Sequence, residues 1–465
     1  MPSISLPLHS YALRAAQAST SRLVNCYVEQ LPPDDKTPAL LMRAPGLPSW
    51  GTVGTGPIES LHSDHGSLYV VSGGGFYTVT SGAVATLRGA VGSSSEIDID
   101  SSLLATVIVS PPNAYTWTLA TSTFAQITDA DFTTRGAGDV EHLDGYMLFR
   151  EPDTARFFGS DLNDAAAYDA LNFATAEGAS DVLVGMKVDH RQIILAGEKS
   201  IELWENTGVS GFPFERSING FLELGCLNGK TIAKIDNSVF WVASDYSVRR
   251  LDGLTPVRIS SHAVEQWLKG ATLASLRAWT FTQEGHLFYM LTAPEGAFFY
   301  DITTQLWAER GSYGFDTWNW GNPVEFAGKV LVGSTTSNVI AELSPTVYED
   351  LGDLQVMTWT YQAVKPPDGS RRAYFSSLEV VLEVGVGLTT GQGSDPQMML
   401  SISDDAGRTW LALPTKTIGA IGKYRTRVRW AGLGSTDSPH GRVFRFSISD
   451  PIQVAVVDAL LDYHG

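Results

Sequence analysis

Two histidines and an aspartate fall within four positions at His62-Ser-Asp-His65, residue types from which a metal site is built. Three ligands that close along one loop rarely converge on an ion, and no further His or Cys follows at metal spacing. A turn capped by Asp64 is therefore expected. Glu96, Asp98 and Asp100 alternate with Ile97 and Ile99, which places the three carboxylates on one face of a strand. Calcium needs more oxygens and usually a glycine turn, so a solvated acidic face is the expectation there. Gly73–Gly75 lies between two strands and lacks the Lys-Ser/Thr of a phosphate-binding loop. Cys26 and Cys226 are the only cysteines and suggest neither a disulfide framework nor a Cys–His nucleophile. With no Gly-x-Ser-x-Gly elbow either, no catalytic residue, metal or cofactor is expected.

Ser403-Asp-Asp-Ala-Gly-Arg-Thr-Trp410 has the Asp-box spacing Ser-x-Asp-x-Gly-x-Thr-Trp, known from sialidases and other propellers. Ser403, Asp405, Gly407, Thr409 and Trp410 then describe a hairpin turn. The Asp carboxylate accepts backbone N–H bonds, Gly takes the left-handed conformation and Trp covers the turn. A sialidase would carry several copies within its blades, with an arginine cluster and a Tyr nucleophile beside an acid. A single copy outside the repeats points to a structural device. Arg425, Arg427 and Arg429 alternate with Thr426, Val428 and Trp430, so three guanidiniums are expected on one strand face. Solvation, or pairing with acids across the sheet, is the ordinary outcome for them. Their candidate functional role is a subunit interface, because arginine grips carboxylates bidentately, and a phosphate rail ranks third.

The elements that must position these residues are strands. Leu68–Val71 and Phe76–Val79 flank a glycine turn, and Leu104–Val109 and Tyr115–Leu119 flank Ser110-Pro-Pro-Asn113. The same sense recurs at Tyr146–Phe149, Ile193–Leu195, Val239–Val242 and His286–Leu291, each followed by a turn and a second strand. Such units repeat every ~40–50 residues, the spacing of propeller blades. Six are counted, and a seventh near Val330–Leu343 is left open, with a pair of β-sandwiches as the alternative. Ser261–Leu268 is the exception: Val264, Trp267 and Leu268 fall at helical spacing between a serine cap and Gly270.

Past Tyr348 the strands lengthen, and a separate antiparallel sandwich is expected. The reading is thus all-β: a propeller of about six blades over 51–347, a sandwich platform over 348–465, and a 1–50 arm packing on that sandwich. In the arm, Pro32, Pro33 and Pro38 preclude helix and confine any strand to an edge. The chain has 465 residues, 43% of them hydrophobic, enough to bury more than one core. Its formal net charge of −18 argues against gripping nucleic acid through phosphates. Neither a signal peptide nor a membrane-spanning stretch of ~18 apolar residues is read from the sequence.

Three separated regions resemble one family. In the middle, Asp161-Leu, Tyr168-Asp-Ala-Leu-Asn-Phe-Ala174 and Ala176-Glu-Gly178 lead to Glu202-Leu-Trp204, Thr207-Gly208 and Phe212-Pro-Phe-Glu-Arg216. Arg22-Leu-Val-Asn…Tyr-Val-Glu29 with Pro45-Gly-Leu47 opens the chain, and Tyr424–Trp430 with Gly441–Pro451 closes it. Together they resemble the tail accessory (packaged-DNA stabilisation or nozzle) proteins of short-tailed bacteriophages. The resemblance implies a structural virion protein and no enzyme. It would form a homohexameric ring in the virion tail, assembled in the host cytoplasm, that extends the DNA channel below the portal and adaptor ring. The implied partners are further copies of the chain, the adaptor and portal, a tailspike or tail fibre, a tail needle or plug, and passing genomic DNA held without tight or sequence-specific binding. The competing reading is a carbohydrate-binding or sialidase-like propeller, for which 12 Trp and 16 Tyr could serve as stacking platforms.

Overall fold

The computed structural model describes residues 2–13, 19–32, 37–365 and 372–464. Among them seven blades of four antiparallel strands form a ring. Blades 1 to 6 run consecutively through residues 58–90, 98–126, 140–175, 183–222, 233–258 and 277–309. Each begins at the ring axis, and the first strands touch in cyclic order back to the start, blade 4 reaching blade 5 through the turn Gly229–Thr231. The segment left open in the sequence is blade 7: Trp320–Phe326, Lys329–Ser334 and Val339–Glu342. Its outermost strand is Ser49–Thr52, with Val339 opposite Thr52 and Ile340 opposite Gly51. Closing the ring with the segment that precedes blade 1 removes two open edges at once.

Burial explains which strands were visible from sequence. The second strands are buried on both faces: all of Ala105–Ser110 and all of Ser238–Val242. The outermost strands Thr123–Gln126 and Thr255–Arg258 are mostly exposed and carry little pattern. Between neighbouring blades lie separate apolar cores, such as Phe157, Met186, Leu195, Trp204 and Phe214 between blades 3 and 4. Burying each such side chain is worth roughly 2 kcal/mol. The helix His262–Gly270 lies between blades 5 and 6, capped by Ser261, whose hydroxyl accepts the Val264 N–H. A second, shorter helix was not foreseen, Ala130–Arg135 between blades 2 and 3. It is too short to show a period, and it buries Phe132 against Phe149, Phe158 and Tyr168. No helix among the described residues is long and apolar enough to cross a membrane.

A sandwich stands on blades 6 and 7. One sheet orders Cys26–Gln30, Ala39–Arg43, Ala455–His464, Ala373–Leu382 and Val428–Thr436, with Ser3–Ile4 added beside the C-terminal strand Ala455–His464. The other runs through Thr20–Val24, Met357–Thr360, Val443–Ile448 and Gln397–Ser403. This second sheet joins the outer strand of blade 6, where Val24 lies parallel to Glu309. Its core is continuous with that between blades 6 and 7: Leu23, Trp359 and Phe446 share one cluster with Phe288, Phe299 and Trp320. Pro33, in the proline-rich loop, lies outside the described residues.

Candidate functional site

The Asp-box turn joins Gln397–Ser403 to Leu411–Ala412, in the sandwich and not in a blade. Asp405 Oδ1 accepts the Arg408 and Thr409 N–H groups at 2.9 and 2.8 Å, and Oδ2 takes the Thr409 hydroxyl at 2.6 Å. Ser403 Oγ donates to Asp405 and accepts the Gly407 N–H at 2.8 Å, with Gly407 at φ 86°. The Thr409 hydroxyl and the surrounding N–H groups hold the Asp405 carboxyl well below the usual carboxylate range. The bonds that Asp405 accepts thus all come from its own turn. Trp410 covers the turn, its ring 3.4 Å from where a Cβ on Gly407 would stand, and carries the guanidinium of Arg445 at 4.0 Å from its centroid.

The three arginines do not share one strand face. The strand begins at Val428, so only Arg429 belongs to it, because Lys423–Thr426 closes a turn through the Thr426 N–H and Lys423 carbonyl. Arg427 forks onto Glu379, with Nε to Oε1 at 2.8 Å and Nη2 to Oε2 at 2.6 Å, and Arg429 reaches Ser377 at 2.9 Å. Arg425 sits exposed on the turn beside Tyr424 and Ile421, which are also exposed.

The acidic run at 96–100 also differs from a solvated face. Asp98 and Asp100 lie on the innermost strand of blade 2, and their carboxylates accept the Val140 and His142 N–H groups of blade 3 at 3.2 and 2.6 Å. Glu96 precedes the strand and pairs with Arg277. Inner strands of adjacent blades splay too far apart for a backbone ladder, so side chains close the gap. Glu141 repeats the device one blade on, accepting the Val188 N–H at 3.0 Å and pairing with Lys187. That carboxylate in turn holds Lys187 protonated, its pKa raised despite burial. Buried Asp139 receives Arg150 at 2.6 Å and Lys230 at 3.2 Å. Burial opposes its ionisation, but the two cations outweigh it and hold the carboxyl below its ordinary value. Asp98, Asp139, Lys187, Lys230, Lys234 and Arg277 line an axial cavity of about 970 Å³.

His62 and His65 serve the same architecture. His62 Nε2 lies 3.0 Å from Ser101 Oγ of blade 2, and His65 Nε2 lies 2.9 Å from the Ser102 carbonyl. Asp64 accepts the His65 N–H at 2.8 Å, capping the turn. Gly73 and Gly74 take φ of 53° and 75° in the hairpin between Ser67–Ser72 and Gly75–Val79. Cys26 and Cys226 are buried free thiols, and burial pushes Cys226 up to about 12.

The junction between ring and sandwich rests on residues that sequence alone did not single out as a site. Asn25, at φ 55°, turns the chain from one sandwich sheet to the other. Its amide donates to the Gly311 and Val356 carbonyls at 3.1 and 3.0 Å and accepts the Gly311 N–H at 3.1 Å. His286 of blade 6 places Nδ1 2.7 Å from Asp301 and Nε2 2.8 Å from Glu29 of the sandwich. Burial would lower its pKa, but two carboxylates on its two ring nitrogens demand the imidazolium and carry it up to about 9. Buried Arg43 donates to Gln355 Oε1 at 3.2 Å and the Ile452 carbonyl at 3.1 Å, and burial pushes it down to about 10.

Two family models match the chain in succession. One, described as Bacteriophage P22 Gp10, beta-propeller, spans residues 13–348; the other, Bacteriophage P22 Gp10, beta-sandwich, spans residues 362–463. A comparison with curated proteins finds no match. Among solved structures, the Neurospora crassa Pan2 WD40 domain is 9% identical with a TM-score of 0.44, covering 65% of this chain and 97% of that one. PorZ of the Porphyromonas gingivalis type-IX secretion system is 11% identical with a TM-score of 0.39, covering 72% of this chain and 44% of that one. The extracellular domain of BT4673 from B. thetaiotaomicron is 10% identical with a TM-score of 0.43, covering 82% of this chain and 57% of that one.

Proposed function

This chain belongs to the bacteriophage P22 Gp10 family, phage tail structural proteins that stabilise packaged DNA, and we propose that it builds the nozzle ring of a short-tailed phage. The observation that carries the proposal is the succession of both family domains, propeller then sandwich, over nearly the whole chain. In this reading six copies dock beneath the portal and its adaptor, extend the DNA channel and carry the tailspike or fibre and the needle or plug. Each copy brings a formal −18. A lumen of that sign repels the phosphate backbone, so DNA slides during ejection without sticking. Retention of the genome is then mechanical, a sealed exit and not a grip on sequence. The carboxylates singled out have structural partners: Asp405 accepts bonds from its own turn, and Asp98 and Asp100 on the inner strand of blade 2 accept N–H groups of blade 3.

Stable rings need interfaces above ~1,000 Å². The turn carrying Arg425, with Tyr424 71% and Ile421 56% exposed, combines arginine with uncovered aromatic and aliphatic surface, the composition of an interface. Arg427 and Arg429 flank it, with Arg427 already held by Glu379. Electron microscopy of the purified protein mixed with portal and adaptor tests the nozzle assignment. A new ring of density beneath the adaptor is expected, and its failure to form would overturn the proposal.

A further inference from the structure

Where the chain leaves blade 6 and meets the sandwich, a pocket of about 440 Å³ opens, bordered by Ser19, Arg22, Tyr313, Phe315, Trp410 and Arg445. That volume lies within the ~300–1,000 Å³ of small-ligand sites. The Arg445 guanidinium carbon lies 4.0 Å from the centroid of the Trp410 ring, a cation–π contact that holds the cation against the pocket wall. Beside it, Arg22 is satisfied by Glu309, with Nε to Oε1 at 3.1 Å. Among the described residues no carboxylate lies within ion-pair distance of Arg445, whose pKa both burial and Arg22 push down. The hydroxyl of buried Ser19 also lacks a hydrogen-bond partner among the described residues. Tyr313 and Phe315, 57% and 60% exposed, stand at the rim. A cation without an anion among the described residues and two uncovered aromatic rings thus share one cavity.

We propose that this pocket binds a peptide carboxylate, an Asp or Glu side chain next to an apolar residue, presented by a partner protein. The Arg445 fork meets the carboxylate bidentately, which a planar, pre-oriented guanidinium does well. Tyr313 and Phe315 cover the neighbouring apolar side chain. A sugar acid fits less well, because the face of Trp410 on which a pyranose would stack is occupied by Arg445. The inference rests on the fold of one chain and not on ring assembly, so its failure leaves the nozzle reading untouched.

Titration calorimetry on the full chain tests it, with N-acetyl-Phe-Asp-amide, its Asn counterpart and sialyl-lactose as probes. The Asp peptide is expected to bind saturably and the Asn peptide at least tenfold more weakly. Arg445→Met is expected to weaken the Asp peptide by at least tenfold, while Lys329→Met on blade 7 leaves it unchanged. Absence of saturable binding to the wild-type chain, or equal binding of the two peptides, would overturn the proposal. So would tighter binding of sialyl-lactose than of the peptide. The comparison of the two peptides uses wild-type protein alone, so the proposal stays refutable even where Arg445→Met does not fold.

Discussion

Replacing His286 by Gln tests the lock between blade 6 and the sandwich. In the folded chain the imidazolium is 5% exposed and donates to both Asp301 and Glu29. Its pKa rises from 6.5 to about 9, and each unit corresponds to ~1.4 kcal/mol. The charged bridge is therefore worth at most about 3.5 kcal/mol, and nearer 2 kcal/mol because Glu29 remains 40% exposed and partly screened. A folded pKa above the unfolded one makes this stability complete below pH ~6.5 and lost as pH rises through about 9. Hydrogen exchange across residues 26–30 and 286–301 reads the free energy of local opening. At pH 6 His286→Gln is expected to open this region more easily than wild type by about 2 kcal/mol. At pH 10 the difference should shrink towards zero, because the wild-type ring has lost its second proton. A gap independent of pH, or no gap at pH 6, would refute the charged-bridge argument.

Glu202 accepts the Gly178 N–H at 2.6 Å and the Trp204 indole N–H at 2.9 Å within the wall between blades 3 and 4. Glu202→Leu orphans both donors and should cost ~2–4 kcal/mol in chemical denaturation; a loss under ~1 kcal/mol would show that water takes over both bonds. Asp405→Ala should speed exchange at residues 403–410 and leave the blades unchanged, whereas faster exchange in any blade as well would contradict its local role. Reversing Arg425, Arg427 and Arg429 to Glu should abolish the oligomer in native mass spectrometry; an unchanged ring mass would eliminate that interface. Arg445→Met should bind the acidic peptide at least tenfold more weakly in titration calorimetry, and unchanged binding would remove Arg445 from the site.

Two of the stretches that resemble the phage family carry contacts between distant segments. Glu202, Trp204, Phe212 and Phe214 build the wall between blades 3 and 4, where Phe157 meets Trp204 edge-on at 5.2 Å. Arg22, Asn25 and Glu29 bind the sandwich to blade 6. Their types were legible as a pattern, but their roles were not, since each partner lies on a distant segment.

Local chemistry alone dictated the all-β character, the central hairpin of each blade, the helix after Ser261 and the Asp-box turn. A strand buried on both faces must be apolar along its length, as Ala105–Ser110 is, and the bonds of Asp405 all close within four residues. Tertiary structure alone decided the rest. Ser49–Thr52 carries no mark of its strand partner, because that partner is Val339–Ala341. Asp98 and Asp100 read as solvent-facing until blade 3 brings its N–H groups 42 residues along the chain to meet them. His286 becomes a cation only because Glu29 arrives from 257 positions away. A face of alternating polar residues specifies what it can bond, and only the closed ring specifies what lies across from it.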